Sequence, residues 1–435
     1  MKIAFVGCGF VFDIYMRTRW AYPELEICGV FDINRERAAH VGKHYGLHVY
    51  DTYELLLADA DVSAVINLTN IAAHYEVTRR ALLAGKHVYS EKPLTTELSL
   101  TRDLFELASQ RGLVLTGAPC NVFADSIRTL LRAVRDGAIG KPVLVYAELD
   151  YGPAHLMKLE HKTSSTGAPW PYVEEFQSGC TFEHIGYHLA WICALLGPVG
   201  ALTAFSKQLI AYKTDTPLSP DDTPDYSVAN LEFANGAAAR VTCSIVAPRD
   251  HRLRVIGLEG ELCVDSYSHF RAPVTLERFS PVSLAGRKLR TLRNHPVLGR
   301  LFGVGGQRLP LLHHDKSHAL NAEHGAHRSL KTRFIDWLRR HETYCQDKLL
   351  GIAEMERALR EQRPQPLTPD FLMHINEITL LVQRAGSQGL TATPSTTFAP
   401  FQFADTCGDK LPSAHITYRP RLCERLLHRF TQSHD

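Results

Sequence analysis

The sequence predicts an α/β protein in two parts: a doubly wound parallel sheet, then a second α/β domain with an open, mainly antiparallel sheet. Three observations carry this. Lys2-Ile3-Ala4-Phe5-Val6 is a short apolar run that ends in Gly7-Cys8-Gly9. Apolar runs then alternate with helix-like stretches: Leu25 to Phe31, Val62 to Leu68, His87 to Ser90 and Leu113 to Thr116, with a helix-like stretch from about Val11 to Trp20 and another ended by Gly85. Beyond residue 140 the spacing changes to successive strand candidates joined by turn residues, with Asn235-Gly236 as a hairpin turn.

The first turn has the chemistry of a dinucleotide site. Gly7 would permit the tight turn after the strand, and Gly9 would let the backbone approach a pyrophosphate at the start of the helix that Phe10 and Val11 open. The third glycine of such a turn would fall at position 12, where this chain has Phe12. Asp32 ends the second strand and could accept hydrogen bonds from both ribose hydroxyls, which favours NAD. Arg35 lies close behind and could meet a 2′-phosphate, so NADP stays open. The expected cofactor contacts are Gly7, Gly9, Phe10, Val11, Asp32, Arg35, Thr69, Asn70, His74, Glu91 and Lys92.

A chain of 435 residues is too long for one ordinary core, and 45% hydrophobic with 22% charged residues describes a globular protein of two domains. The formal charge of +2 gives no reason to expect nucleic acid. Ten cysteines are scattered without a CxxC pair, no leader-like segment opens the chain and no apolar run reaches membrane-spanning length, so the expectation is a reduced, cytoplasmic protein without a structural metal. The domain boundary is placed near Gly117-Ala118-Pro119-Cys120, giving residues 1–120 and 121–390, with an insertion at 271–331 and a loosely held tail over 391–435. Strands are expected at Val143 to Leu149, Ala201 to Phe205, Ser227 to Phe233, Ala237 to Ile245, Leu253 to Ile256 and Glu261 to Val264. Helices are expected at Ala124 to Asp136, Asp347 to Arg360 and from Asp370 to Ala385. Leu422, Leu426, Leu427 and Phe430 form one side of a short basic terminal helix, expected to dock on its own protein.

Two further segments bear on chemistry. Ser90-Glu91-Lys92-Pro93 places a lysine where a nicotinamide should lie, and a cis bond before Pro93 would aim it into the cleft. Gly179-Cys180-Thr181-Phe182-Glu183-His184-Ile185-Gly186-Tyr187-His188 opens a helix on which His184 and His188, four apart, share a side. With the glycine turn and Asp32, these segments resemble the glucose–fructose oxidoreductase/inositol dehydrogenase/MocA family over roughly residues 1 to 385. The resemblance implies an N-terminal Rossmann domain, a C-terminal α/β domain that often makes a dimer contact, and oxidation of a carbinol by a nicotinamide. It also implies a histidine that takes the hydroxyl proton, and that position is His188. His184 stands where the family usually has aspartate. Histidine suits a base because its pKa, about 6.5, lies near working pH. Lys92 would hold the substrate oxygen or itself accept the proton; the sequence leaves both open.

The expected substrate contacts are Lys92, Trp170, Glu174, Thr181, His184 and His188, for a carbohydrate-like small molecule: a sugar, sugar derivative or cyclitol. Trp170 and Glu174 come from the loop Gly167 to Tyr172 and the residues behind it. Arg287, Lys288, Arg290, Arg293, Arg300 and Arg308 make the insertion basic, as a lid or as a solvated loop, and His313, His314, His318, His324 and His327 read as surface residues. An exposed apolar sheet face would call for a homodimer or homotetramer. A dinucleotide-sensing regulator and an NAD-dependent glycosidase working by transient oxidation are the rival readings.

Overall fold

In the computed structural model, which describes residues 1–313, 334 and 345–399, the two expected sheets are both present. The first domain runs β1 (Lys2–Val6), α1 (Phe10–Met16), β2 (Glu26–Phe31), α2 (Arg35–Tyr45), β3 (His48–Val49), α3 (Tyr53–Ala58), β4 (Ala64–Asn67), α4 (His74–Leu83), β5 (His87–Ser90), α5 (Leu98–Gln110) and β6 (Leu115–Gly117). Its sheet has the order β3-β2-β1-β4-β5-β6, with every pair parallel. That is the Rossmann order, in which the direction of winding reverses beside β1 and leaves a crevice at the strand ends. Residues 3 to 6 of β1 and all of β4 are buried because helices cover both faces of the sheet. β3 and α3 were not anticipated: two residues of strand are too few to show a period.

The second domain runs α6 (Asp125–Arg135), β7 (Pro142–Asp150), α7 (Tyr172–Ser178), α8 (Cys180–Leu196), β8 (Val199–Lys207), β9 (Tyr226–Phe233), β10 (Ala238–Ser244), β11 (Leu253–Gly257), β12 (Gly260–Val264) and β13 (Val274–Arg278). It continues with α9 (Pro281–Lys288), α10 (Arg290–Asn294), α11 (Pro296–Leu301), β14 (Gln307–Arg308), α12 (Leu349–Arg360), α13 (Pro369–Gln383) and β15 (Leu390–Ala392). The sheet order is β14-β13-β12-β11-β7-β10-β9-β8-β15, antiparallel except where β10 runs parallel to β7. Burial alternates along β9 to β11 because one face carries α8 and the other does not.

The uncovered face carries polar and charged residues, so the condition under which a second copy would be needed to cover an apolar face is not met there. Asn230, Arg240, Tyr146, Arg254, Cys263 and Thr275 lie side by side across six strands. Arg240 lies 4.6 Å from the centre of the Tyr146 ring, and Arg254 binds Glu261 at 2.7 Å. The supposed insertion is also different: β13 and β14 extend the sheet, and Arg287 binds Glu277 at 2.7 Å and Glu261 at 3.3 Å. Arg287 therefore seats α9 on the sheet by ion pairs. His313 is exposed, as expected, with Nδ1 2.8 Å from Oδ2 of the buried Asp125 carboxylate. His314, His318, His324, His327 and the terminal helix of Leu422 to Phe430 lie outside the described residues. The tail's first part is docked, contrary to expectation: β15 pairs with β8, Phe398 is buried against Phe371, and Glu377 accepts hydrogen bonds from both Ser395 and Thr396.

The two domains are joined by more than the crossover at residue 120. Lys348, at the start of α12, reaches Glu91 Oε1 at 2.6 Å, and Tyr15 donates to the same oxygen at 2.9 Å. Next to it Asp347 accepts from the hydroxyls of Thr18 and Tyr22, both at 2.6 Å. Burial alone would raise the Glu91 carboxyl, but the Lys348 and Lys92 charges and the two hydrogen bonds outweigh it and hold the group at about 2. Its folded value lies below the unfolded one, so the stabilisation is present above about pH 4.5 and is lost as pH falls towards 2. Glu91→Gln is expected to cost roughly 3 kcal/mol, since it leaves Lys348 buried without its counter-charge. Denaturant unfolding at pH 7 and pH 3 checks this, and the variant's deficit should be smaller at pH 3.

Candidate active site

The cofactor side of the crevice is built by β1, β2 and β4. Gly7 has φ +98°, and a Cβ there would lie 2.6 Å from the Leu68 carbonyl oxygen, so only glycine fits this turn. Asp32 is buried at the end of β2, where it accepts from the Cys8 amide at 2.7 Å and from the Asn34 amide at 2.8 Å. An acidic side chain against the glycine turn, beside a close backbone approach, fits a dinucleotide. Arg37, not the exposed Arg35, is the cation that faces Asp32, at 3.8 Å. Phe10 and Val11 begin α1 half-buried at the crevice. Phe12, where a third glycine would stand, fills the space between helix and sheet against Phe5 and Tyr45.

Several of the residues expected at the cofactor also carry hydrogen bonds that hold the crevice turns. His74 is buried, with Nδ1 2.7 Å from the Pro93 carbonyl and Nε2 3.0 Å from the Thr69 carbonyl, and it staples those two turns together. Asn70 caps the following turn through the Ala73 amide, Thr69 is held on Asn67, and Glu91 is committed to Lys348 and Tyr15.

Lys92 precedes a cis proline and projects between the domains. Its Nζ donates to Glu183 Oε2 at 2.9 Å and lies 5.5 Å from the centre of the Tyr187 ring. Burial opposes the Lys92 charge, but Glu183, Tyr187 and Glu91 together more than offset it and raise its pKa above the ordinary lysine range. Burial lifts the Glu183 carboxyl against the pull of Lys92. The two shifts act on one pair in opposite senses; the ammonium is the firmer partner because Lys92 also faces Glu91, so Glu183 is the group whose protonation can change.

His188, the expected base, lies on the buried side of α8. It is wholly buried, its Nε2 donates to the Glu148 carbonyl at 2.9 Å, and its Nδ1 accepts from the Trp191 indole at 3.0 Å. Both nitrogens of a neutral ring are thus used, and burial pulls the pKa down to about 4. The reason is helix phase. Ile185, His188, Leu189, Ile192 and Leu196 form the buried stripe of α8, and Glu183 and Tyr187 lie on the face turned to Lys92. The same stripe is readable in the sequence, and would have assigned His188 to the core and Glu183 with Tyr187 to the crevice.

A second wall is made by the segment after β7. His184 is buried, stacked on Tyr151 at 5.5 Å, with Nε2 3.2 Å from Glu175 Oε1. Tyr151 stacks in turn on Trp170, whose ring meets Phe10 edge-on at 4.9 Å, so Trp170 does reach the crevice. Glu174 is exposed, and Thr181 is buried on the Ser227 hydroxyl at 2.8 Å. Among the described residues no group of histidine, cysteine or carboxylate side chains is arranged to hold a metal ion, and no helix is long and apolar enough to cross a membrane.

Comparison with known proteins agrees with this architecture. Residues 1–118 match the model of the oxidoreductase family with an NAD-binding Rossmann fold, and residues 127–263 match the GFO/IDH/MocA C-terminal domain. An uncharacterized oxidoreductase of Synechocystis is 25% identical over 278 residues, 61% of this chain and 72% of that protein. The dTDP-3,4-didehydro-2,6-dideoxy-alpha-D-glucose 3-reductase of Streptomyces violaceoruber is 32% identical over 171 residues, 38% of this chain, and the match spans about half (49%) of that protein's length. Among solved structures, a UDP-N-acetylglucosamine 3-dehydrogenase from Acidithiobacillus ferrooxidans superposes with a TM-score of 0.59 at 20% identity, covering 89% of this chain and 98% of the other, and shares its fold. The glycine turn, the Glu91-Lys92-Pro93 turn and the mixed second sheet are thus those of a member of the GFO/IDH/MocA oxidoreductase family, to which this chain belongs.

Proposed function

We propose that the protein transfers a hydride between a nicotinamide dinucleotide and a secondary hydroxyl, or the matching ketone, of a sugar derivative. The observation that carries this is the Lys92–Glu183 pair, 2.9 Å apart at the carboxyl end of a parallel sheet and beside the glycine turn. A nicotinamide, when bound, supplies or accepts the hydride. Lys92, kept charged, binds the substrate oxygen and stabilises developing alkoxide charge. Glu183, with its pKa raised by burial, accepts the hydroxyl proton, and Tyr187 bounds the position that oxygen takes. Two relatives carry a nucleotide-linked sugar in their names, which supports a substrate of that class.

Replacing Lys92 with Ala or Glu183 with Gln is expected to cut turnover by about two orders of magnitude or more, the usual scale of electrostatic and acid–base contributions. Glu183→Gln should also abolish the acidic limb of the kcat/KM profile, because the group that must be deprotonated is gone. Steady-state assays with NAD against a panel of nucleotide sugars, sugars and cyclitols provide the measurement. Near-normal turnover in both variants would favour the sensing role.

His188→Ala should behave differently. It strips a partner from the Trp191 indole and from the Glu148 carbonyl, so unfolding in denaturant should show a loss of roughly 2 kcal/mol, while folded enzyme keeps most of its turnover. For the cofactor, Asp32 beside the ribose predicts tighter binding of NAD than NADP by calorimetry. Asp32→Ala should narrow the difference, since it leaves Arg37 without its facing carboxylate.

A further inference from the structure

The second wall contains a lysine that the hydride transfer above does not use. Lys162 lies with Nζ 3.6 Å from the centre of the Trp170 ring, 5.4 Å from that of Phe10 and 5.6 Å from that of Tyr151, and it donates one hydrogen bond, to the Tyr151 hydroxyl at 2.8 Å. Among the described residues it forms no ion pair, and burial pulls its pKa below the ordinary lysine range, opposed by the more distant Glu175. An ammonium has three donors, so two remain for a ligand. The Trp170 indole N–H beside it is buried and has no acceptor among the described residues. Both unfilled donors stand next to Phe10, the residue that follows Gly9 and the turn where a pyrophosphate is held.

The position of this lysine is fixed. Thr166 donates to Asp13 Oδ2 through its amide at 2.9 Å and its hydroxyl at 2.7 Å, and the Trp170 amide donates to the Lys162 carbonyl at 2.7 Å. Residues 162 to 170 are thereby strapped across α1 with the cage facing the crevice. We propose that Lys162, caged by Phe10, Tyr151 and Trp170, is a phosphoryl-binding site that the second domain lends to the crevice. A phosphoryl oxygen accepts from both the ammonium and the indole, which an aromatic cage alone leaves unsatisfied. The phosphoryl group belongs either to the dinucleotide or to a nucleotide-linked substrate. The proposal rests on the reading of the crevice as a dinucleotide-dependent site.

Binding to the full chain tests it without turnover. NADH is titrated by fluorescence into wild type, Lys162→Met, Lys162→Arg and Trp170→Phe, and UDP is titrated by calorimetry into the NADH-saturated proteins, with thermal melting as the check on folding. Lys162→Met is expected to weaken one of the two ligands by about tenfold or more, the scale of one lost charge-assisted hydrogen bond, with a smaller loss for Trp170→Phe and partial retention in Lys162→Arg. Weakened NADH assigns the site to the dinucleotide, and weakened UDP with unchanged NADH assigns it to the substrate. NADH and UDP binding both within about twofold of wild type in a folded Lys162→Met protein overturns the proposal and leaves the hydride-transfer reading intact, as does weakening of neither when UDP fails to bind. Wild type that does not bind NADH overturns that reading and the phosphoryl site with it.

Discussion

Glu91 is a buried carboxylate whose two oxygens hold three parts of the chain in one place. Oε1 takes the Tyr15 hydroxyl from α1 and the Lys348 ammonium from α12, and Oε2 takes the backbone amide of Lys92 at 3.3 Å. From the other side, His74 bridges Thr69 and Pro93. The turn that carries Lys92 is thus fixed by residues from both domains before any ligand enters. A buried ion pair contributes little net stability compared with apolar packing. What this one supplies is register: α12 can dock in one position only, because displacing it would leave Glu91 and Lys348 unpaired in the interior.

The charges then alternate outward, Lys348, Glu91, Lys92 and Glu183, each within reach of the next. The inner two are held ionised by neighbours on either side, as the depressed Glu91 value and the raised Lys92 value indicate. Glu183 ends the row, where burial, helped by the Glu175 carboxylate, favours its neutral form against the pull of Lys92 and His184. A proton arriving at or leaving this row therefore comes to rest at its outer end, facing the crevice. This is the arrangement that acid–base chemistry on a bound hydroxyl requires, with a permanent cation beside a carboxyl that titrates.

The parallel sheet was legible in the sequence because its strands are buried on both faces and end in residues with one conformational or chemical use, Gly7 and Asp32 among them. The second sheet was legible through alternation and the Asn235-Gly236 turn, yet β13 was hidden inside a stretch whose basic residues suggested an insertion. One of those arginines, Arg287, pairs from its helix with Glu261 and Glu277 on two strands of the sheet, a relation no local pattern exposes. The site was half legible. Lys92 was found from its turn, while Glu183 and Tyr187 were passed over because two histidines four apart drew the helix face away from its own apolar stripe. His74 and Glu91 hold the Lys92 turn through buried hydrogen bonds, and buried polar groups that hold a turn look the same in sequence as groups that touch a ligand.

The absent third glycine shows how one departure propagates. Phe12 in its place packs edge-on against Phe5 of β1, and Asp13 beside it is a buried acceptor. Burial would raise that carboxyl, but hydrogen bonds from Ser164, Tyr45 and Thr166 lower it, and two of those donors belong to the segment that carries Lys162. A glycine at 12 would let the helix settle closer to the strand and carry Asp13 away from Thr166. Asp13 thus ties the helix that follows the glycine turn to the segment of the other domain that carries Lys162 and Trp170.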